Sequence, residues 1–110
     1  MSQMLDPEAL DMLTEAIGAE AAREVIALFL GECRELTRTI AAPGADPETI
    51  GRAAHSLKSS AGQLGAMALS EAALAVETAA SAGAPDLPQM IGALGQCAIQ
   101  TRQALNEKLS

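Results

Sequence analysis

The chain has 110 residues, a length that suits one domain with a single hydrophobic core. Hydrophobic residues make up 49% of it, but Phe29 is its one aromatic residue, and such a composition favours close-packed helices over strands. Fourteen acidic residues against seven Lys and Arg give a net charge of −7, which argues against nucleic acid as a partner because a polyanion would be repelled.

Five helices are predicted in chain order, at about residues 7–17, 19–41, 47–64, 68–82 and 87–109. Three of the starts combine an Asp, which can cap free backbone N–H groups, with a Pro in the first turn: DPEAL at 6–10, DPETI at 46–50 and DLPQM at 86–90. Gln89 adds a capping-box pattern to the last of them. Glycines that suit the left-handed residue after a helix end the runs at Gly18, Gly44, Gly65 and Gly83.

Apolar residues recur at helical spacing in the four longer segments. The predicted core faces are Val25, Leu28, Phe29, Leu36 and Ile40; Ile50, Leu57, Ala61 and Leu64; Leu69, Ala72, Ala73, Val76 and Ala80; and Ile91, Leu94, Ala98, Leu105 and Leu109. Short loops are typical of antiparallel neighbours. We therefore expect an all-α fold, an antiparallel four-helix bundle with a short N-terminal leading helix, occupying residues 1–110 as one domain.

The start of the chain and its cysteines bear on location. MSQMLDPEAL lacks the basic patch and apolar run of a signal peptide, and no apolar stretch reaches the length of a membrane span. Cys33 and Cys97 are far apart and form no CxxC motif, so we expect reduced, half-buried cysteines rather than a disulfide or a zinc site. These features predict a cytoplasmic protein without membrane association.

The stretch RAAHSLKSSAGQLGA, residues 52–66, contains the only histidine. On a helical wheel His55 lies about 140° from the core residue Ile50, so its ring is expected to face outward. Its neighbours on that face are small apart from Lys58: Gly51, Ser59, Gly62 and, further on, Ala66. Glycine weakens a helix, so the small residues indicate either the close approach of another helix, which would bury His55, or a docking partner, which the outward direction favours.

An exposed histidine beside a lysine suits phosphoryl chemistry better than hydrolysis. A neutral imidazole has one free nucleophilic nitrogen, and Lys58, unless it is an ordinary surface lysine, lies one turn away where it can face phosphoryl oxygens. The stretch supplies neither the partners of a hydrolytic triad nor further metal ligands. No phosphate-binding glycine loop for ATP occurs in the sequence, so the phosphoryl group is expected to come from and leave to another protein.

Residues 54–65, AHSLKSSAGQLG, resemble the signature of histidine-containing phosphotransfer (HPt) domains of two-component phosphorelays. That signature is written H-x-L-K-G with a further glycine ten residues after the histidine. His55, Leu57, Lys58 and Gly65 match it, whereas Ser59 stands where glycine is commonest. The family fold, a four-helix bundle with a leading helix, extends the resemblance over essentially the whole chain.

The resemblance implies a phosphorelay intermediate in which His55 accepts a phosphoryl group from one receiver-domain aspartate and passes it to another. The family often has Glu or Gln 22 residues after the histidine, where Glu77 stands; it would accept the Nδ1 proton, or be merely a solvated charge. Implied partners are response-regulator receivers and an upstream histidine kinase. Mg²⁺ would belong to the receiver, so no cofactor or metal is expected here, and the domain is expected to act as a monomer.

The predicted docking surface combines small and apolar residues around His55, namely Gly51, Ala54, Ser59, Gly62, Gln63 and Ala66. Gln63 is either a rim contact or plain polar surface, and contributions from Leu10, Leu13 or Ile17 of the leading helix stay open. Two alternatives remain: a phosphoacceptor domain of a chemotaxis-type kinase, which would normally continue into kinase domains beyond Ser110, and a helical adaptor without chemistry.

Overall fold

A computed structural model describes residues 4–109, which form five α-helices. They are α1 (Pro7–Ile17), α2 (Ala19–Ala41), α3 (Pro47–Leu64), α4 (Met67–Ala82) and α5 (Leu87–Leu109). Each predicted helix is present, with bounds that agree to within one residue. Residues 1–3 and 110 of the predicted domain lie outside the described residues.

The Asp-Pro starts act as expected at two helices. The Asp6 carboxylate accepts a hydrogen bond from the N–H of Glu8 at 3.0 Å, and the Asp46 carboxylate accepts one from the N–H of Thr49 at 2.7 Å. These bonds satisfy backbone donors that the first turn of a helix leaves free. The bond from Thr49 also lowers the pKa of the Asp46 carboxyl. At α5 the backbone carbonyl of Asp86 accepts from the N–H groups of Gln89 and Met90, both at 3.1 Å.

The four long helices form a closed ring of neighbours. Helix α2 packs on α3 and α5, and α4 packs on α3 and α5, whereas the backbones of the diagonal pairs do not approach each other closely within the described residues. The leading helix α1 packs against α2 and α3. The α3/α4 side and the α2/α5 side are therefore opposite sides of an antiparallel four-helix bundle.

The core is lined by small and aliphatic side chains from all four bundle helices. The largest fully buried side chains include Leu57, Leu69, Leu94 and Leu105. The predicted faces of α3, α4 and α5 point inward, although Ala72, Ile91 and Leu109 at their margins are half-buried.

The predicted core face of α2 is partly wrong. Val25 is 37% exposed and Leu28 is 75% exposed, while Ala22, Ile26, Phe29, Cys33 and Ile40 form the buried face. Helix α2 carries apolar residues on two adjacent stripes, and periodicity alone does not tell which of them meets the bundle. The second stripe, with Val25 and Leu28, faces a surface groove instead.

Both cysteines are free, as predicted. Cys33 is fully buried rather than half-buried, and Cys97 is half-buried. Burial raises the pKa of both thiols, so they are less prone to ionise than an exposed cysteine. None of the helices within residues 4–109 has the length and apolar character needed to cross a membrane.

Gly65 does more than end α3. Its φ of +83° is in the left-handed region, and its carbonyl accepts a hydrogen bond from the N–H of Asp6 at 2.7 Å. A Cβ at residue 65 would lie 2.7 Å from the Cβ of Ala9, closer than real contacts allow. The absence of a side chain therefore seats the start of α1 against the end of α3.

Candidate functional site

His55 lies on the outer surface of α3, as the helical wheel predicts, and its side chain is 60% exposed. Its Nδ1 lies 2.8 Å from Oε2 of Glu77 on α4. An ionised carboxylate only accepts hydrogen bonds, so the neutral ring donates from Nδ1. The Nε2 atom then carries the free lone pair, on an imidazole open to solvent.

Glu77 joins the histidine to the lysine. Lys58 Nζ donates a hydrogen bond to Oε1 of Glu77 at 2.8 Å, while Oε2 faces His55. The Lys58 bond is the main reason that the pKa of Glu77 is lowered; desolvation opposes the shift, and the His55 contact adds to it. The three side chains, which sequence reasoning selected separately, thus form one network across α3 and α4.

Close packing of α3 and α4 makes this network possible. A Cβ at Gly51 would lie 4.0 Å from the Cβ of Ala80, and a Cβ at Gly62 would lie 3.5 Å from Oγ of Ser70. Ser70 Oγ also donates to the carbonyl of Lys58 at 3.0 Å. An added Cβ would make only ordinary contacts at either position, so the close approach of α4 does not depend on these glycines, and it does not bury His55.

The predicted docking surface is only partly exposed. Ser59, Gly62 and Gln63 are exposed, and Gly51 is half-buried. The exposure expected for Ala54 and Ala66 is wrong, since both are 0% exposed. Ala54 faces the bundle interior, and Ala66 lies in the tight α3–α4 turn, where its N–H bonds to the carbonyl of Ala61.

An apolar groove of about 300 Å³ runs between α1, α2 and α3 beside the exposed face of α3. Its lining includes Leu13, Val25 and Leu28. Ser60, also in this lining, donates a hydrogen bond to the Glu32 carboxylate at 2.6 Å. Of the leading-helix residues left open above, Leu13 lines the groove, Ile17 is 44% exposed and Leu10 belongs to the core.

A second cavity, of about 570 Å³, lies beside His55 between α3 and α4. Its lining includes Arg52, Ser56 and Ser81, none of which sequence reasoning selected. Arg52 lies three residues before the histidine, and Lys58 lies three residues after it. The i, i+3 spacing therefore predicts that both side chains lie near the ring. Arg52 adds a second cation to the surroundings of His55. No group of three His, Cys, Asp or Glu side chains within residues 4–109 is arranged to hold a metal ion.

The Glu77 network has a consequence for acid stability. Because the folded-state pKa of Glu77 is lowered, its contribution to stability is present above the unfolded-state pKa and is lost as pH falls through the folded-state pKa. We expect Glu77→Gln to lose less free energy of unfolding than the wild type between pH 5 and 3, as measured by urea denaturation. Glu107→Gln, on the exposed end of α5, is the control and should follow the wild type. If Glu77→Gln and the wild type lose the same free energy of unfolding over this pH range, the role of this network is contradicted.

The sequence and the fold are both similar to those of known proteins. A model of the Hpt domain family matches residues 24–107, a range that includes His55, Lys58 and Glu77. The crystal structure of histidine-containing phosphotransfer protein B (HptB) from Pseudomonas aeruginosa PAO1 superimposes with a TM-score of 0.90 at 20% sequence identity, covering 99% of this chain and 96% of that chain. At that identity the likeness shows a shared fold. None of the curated proteins compared matches the sequence.

Proposed function

Because the chain belongs to the Hpt domain family and is a histidine phosphotransfer relay intermediate, we propose that Nε2 of its His55 is the atom that carries the phosphoryl group. The observation that carries this assignment is the hydrogen bond of 2.8 Å between Nδ1 and Glu77, which leaves Nε2 free on an exposed ring. The group comes from the aspartyl phosphate of one receiver domain and goes to the aspartate of another.

The transfer uses a lone pair that the network keeps available. The Nε2 lone pair attacks phosphorus, the N–P bond forms, and the P–O bond to the receiver aspartate breaks, so that the aspartate leaves as a carboxylate. The ring keeps its Nδ1 proton and becomes positively charged, and the Glu77 carboxylate beside it offsets that charge. Attack by the second receiver's aspartate reverses these steps and restores the neutral ring.

Lys58 changes partner in this scheme. In the unphosphorylated protein its ammonium group bonds to Glu77 at 2.8 Å. A dianionic phosphoryl group on His55 is a stronger electrostatic partner than one carboxylate oxygen, so it draws the ammonium group towards its oxygens. Lys58 is therefore placed to stabilise charge during the transfer.

The receiver docks over the exposed face of α3 and the apolar groove beside it. The groove contains Leu28, which is 75% exposed, and it lies alongside Ser60 and Gln63, one to two turns beyond His55. The Mg²⁺ ion that assists the reaction is held by the receiver, and this chain supplies no cofactor. The protein acts as a monomeric phosphoryl carrier in the cytoplasm, downstream of a histidine kinase, without kinase activity of its own.

The direct test is a two-step relay. Purified protein is mixed with a ³²P-labelled receiver domain, and a second, unlabelled receiver is then added. The proposal predicts label on this chain that is acid-labile and base-stable, followed by its loss to the second receiver. A chain that stays unlabelled would refute the relay role and favour an adaptor; label that arrives only from a chemotaxis-type kinase with ATP would favour the phosphoacceptor-domain alternative.

Replacing the lysine tests its electrostatic role. We expect Lys58→Ala to lower the rate of phosphoryl acceptance by about ten- to a hundredfold, since a hydrogen bond between charged groups contributes about 1.5–3 kcal/mol. Rapid-quench measurements at saturating receiver would give this rate. Lys108→Ala, which removes the same charge from the far end of α5, should leave the rate unchanged; an unchanged rate in Lys58→Ala would show that the ammonium group has no part in the transfer.

The apolar groove gives a separate prediction for affinity. Leu28→Asp is expected to weaken receiver binding about tenfold, because a carboxylate must then be desolvated in an apolar contact. Isothermal titration calorimetry with an unphosphorylated receiver measures the effect. Ala93→Asp, exposed on α5, adds the same charge elsewhere and should bind like the wild type. If both variants bind equally well, the receiver docks outside this groove.

A further inference from the structure

Three arginines lie together on the side of the bundle opposite His55. A cleft of about 370 Å³ between α2 and α5 is lined by Arg34, Arg38 and Arg102, and no acidic residue is part of its lining. The whole chain has seven Lys and Arg and a net charge of −7, so this concentration of positive charge is unlike the rest of the protein. The histidine site does not use it.

These guanidinium groups are largely available to a ligand. Within residues 4–109 only Arg38 of the three forms a salt bridge, to Glu35 at 3.4 Å. The side chains of that pair are 68% and 71% exposed, so the pair is solvated and easily exchanged. Arg34 is exposed and Arg102 is half-buried.

The floor of the cleft is apolar and unusually bare. Gly92 and Gly95 line it, and a Cβ at either position would meet nothing within 4 Å. Ile99, one turn beyond Gly95, is 43% exposed and lines the same cleft. The backbone of α5 is thus open to close approach by another segment, with an apolar side chain at hand.

We propose that this cleft binds an acidic amphipathic helix of a partner protein. Its apolar face would lie on Gly92, Gly95 and Ile99, and its carboxylates would pair with the arginines on either side. From Gly92 to Arg102 the floor extends about 15 Å along α5, which corresponds to about three turns of a bound helix. A small anion would use the arginines but would leave the apolar floor uncovered.

Because the cleft is on the α2/α5 side of the bundle, a partner bound there need not cover the histidine. The cleft lies between α2 and α5, whereas His55 is on α3 and its partner Glu77 is on α4, at the other side of the bundle. A helix in the cleft therefore leaves His55 open to a receiver, and the protein can be tethered to a partner while it carries phosphate.

The test uses a synthetic helical peptide with leucine along one face and glutamate along its flanks, and a matched peptide with glutamine for glutamate. Fluorescence anisotropy should show that only the glutamate peptide binds, more weakly at high salt. Arg34→Gln/Arg38→Gln/Arg102→Gln should raise its Kd about tenfold or more, and Arg23→Gln, outside the cleft, should not. Gly95→Glu is a second variant that fills open space without a clash and should also abolish binding.

Amide shifts in NMR spectra locate the peptide, and the relay assay separates this proposal from the proposed function. We expect shifts at Gly92 and Gly95, and unchanged phosphoryl acceptance in the triple variant. Equal binding of both peptides, or shifts centred on His55, would overturn the proposal. A failed relay with intact peptide binding would refute the phosphotransfer assignment and leave the cleft proposal standing.

Discussion

His55→Gln is expected to abolish phosphoryl acceptance, with a loss of about 10³-fold or more, because an amide has no nucleophilic lone pair on nitrogen. The described residues contain no second imidazole that can take over, since His55 is the only histidine of the chain. The measurement is transfer of ³²P from a labelled receiver at saturating concentration. The side chain is 60% exposed, so the fold should be retained.

Glutamine at residue 55 removes the nucleophilic nitrogen but keeps a hydrogen-bond donor, so that a loss of chemistry can be told from a loss of structure. Its amide N–H can still donate to Glu77, which keeps the contact between α3 and α4. Gln103→Ala, at an exposed position on α5, is the control and should accept phosphate at the wild-type rate. Acid-labile label that persists in a well-folded His55→Gln protein would show that another residue is the acceptor.

Gly65→Ala is expected to destabilise the protein by about 3 kcal/mol, from left-handed backbone strain of about 1 kcal/mol and overpacking of about 2 kcal/mol. The strain follows from φ +83°, and the overpacking follows from the 2.7 Å that would separate the new Cβ from that of Ala9. Thermal denaturation followed by circular dichroism should show a Tm lower by about 10 °C.

Two further variants separate strain from contact. Gly83 also has a positive φ, +64°, but a Cβ there meets nothing within 4 Å, so Gly83→Ala should cost only about 1 kcal/mol. Adding Ala9→Gly to Gly65→Ala should recover about 1 kcal/mol or more of coupling free energy in a double-mutant cycle. Equal losses in Gly65→Ala and Gly83→Ala would show that α1 is not seated against the end of α3 in this way.

The helices could be predicted from local signals because those signals act within a few residues. Asp6 and Asp46 cap their own first turns, and Gly18 and Gly83 have the positive φ that ends a run. The outward direction of His55 also follows from local periodicity, since Leu57, Ala61 and Leu64 hold the other face of α3 in the core.

The incorrect predictions concern a helix with two apolar stripes and two alanines that the bundle and a turn bury. Val25 and Leu28 are as apolar as the true core residues of α2, and only the positions of α3 and α5 select between the stripes. Ala54 and Ala66 look like open surface next to His55, yet the bundle and the α3–α4 turn bury them. Arg52 lines the cavity beside the histidine, although it lies outside the recognised motif.

The sequence by itself determined the five helices, the solvent-facing histidine and its membership of a recognisable motif, because each depends on residues within a few turns of one another. Only the tertiary structure decided that Glu77 bridges His55 and Lys58, that Gly65 must accommodate Ala9, and that Arg34 and Arg102 line one cleft. Each of these joins helices that are distant in sequence, and their relative position is set by how all the core side chains pack together.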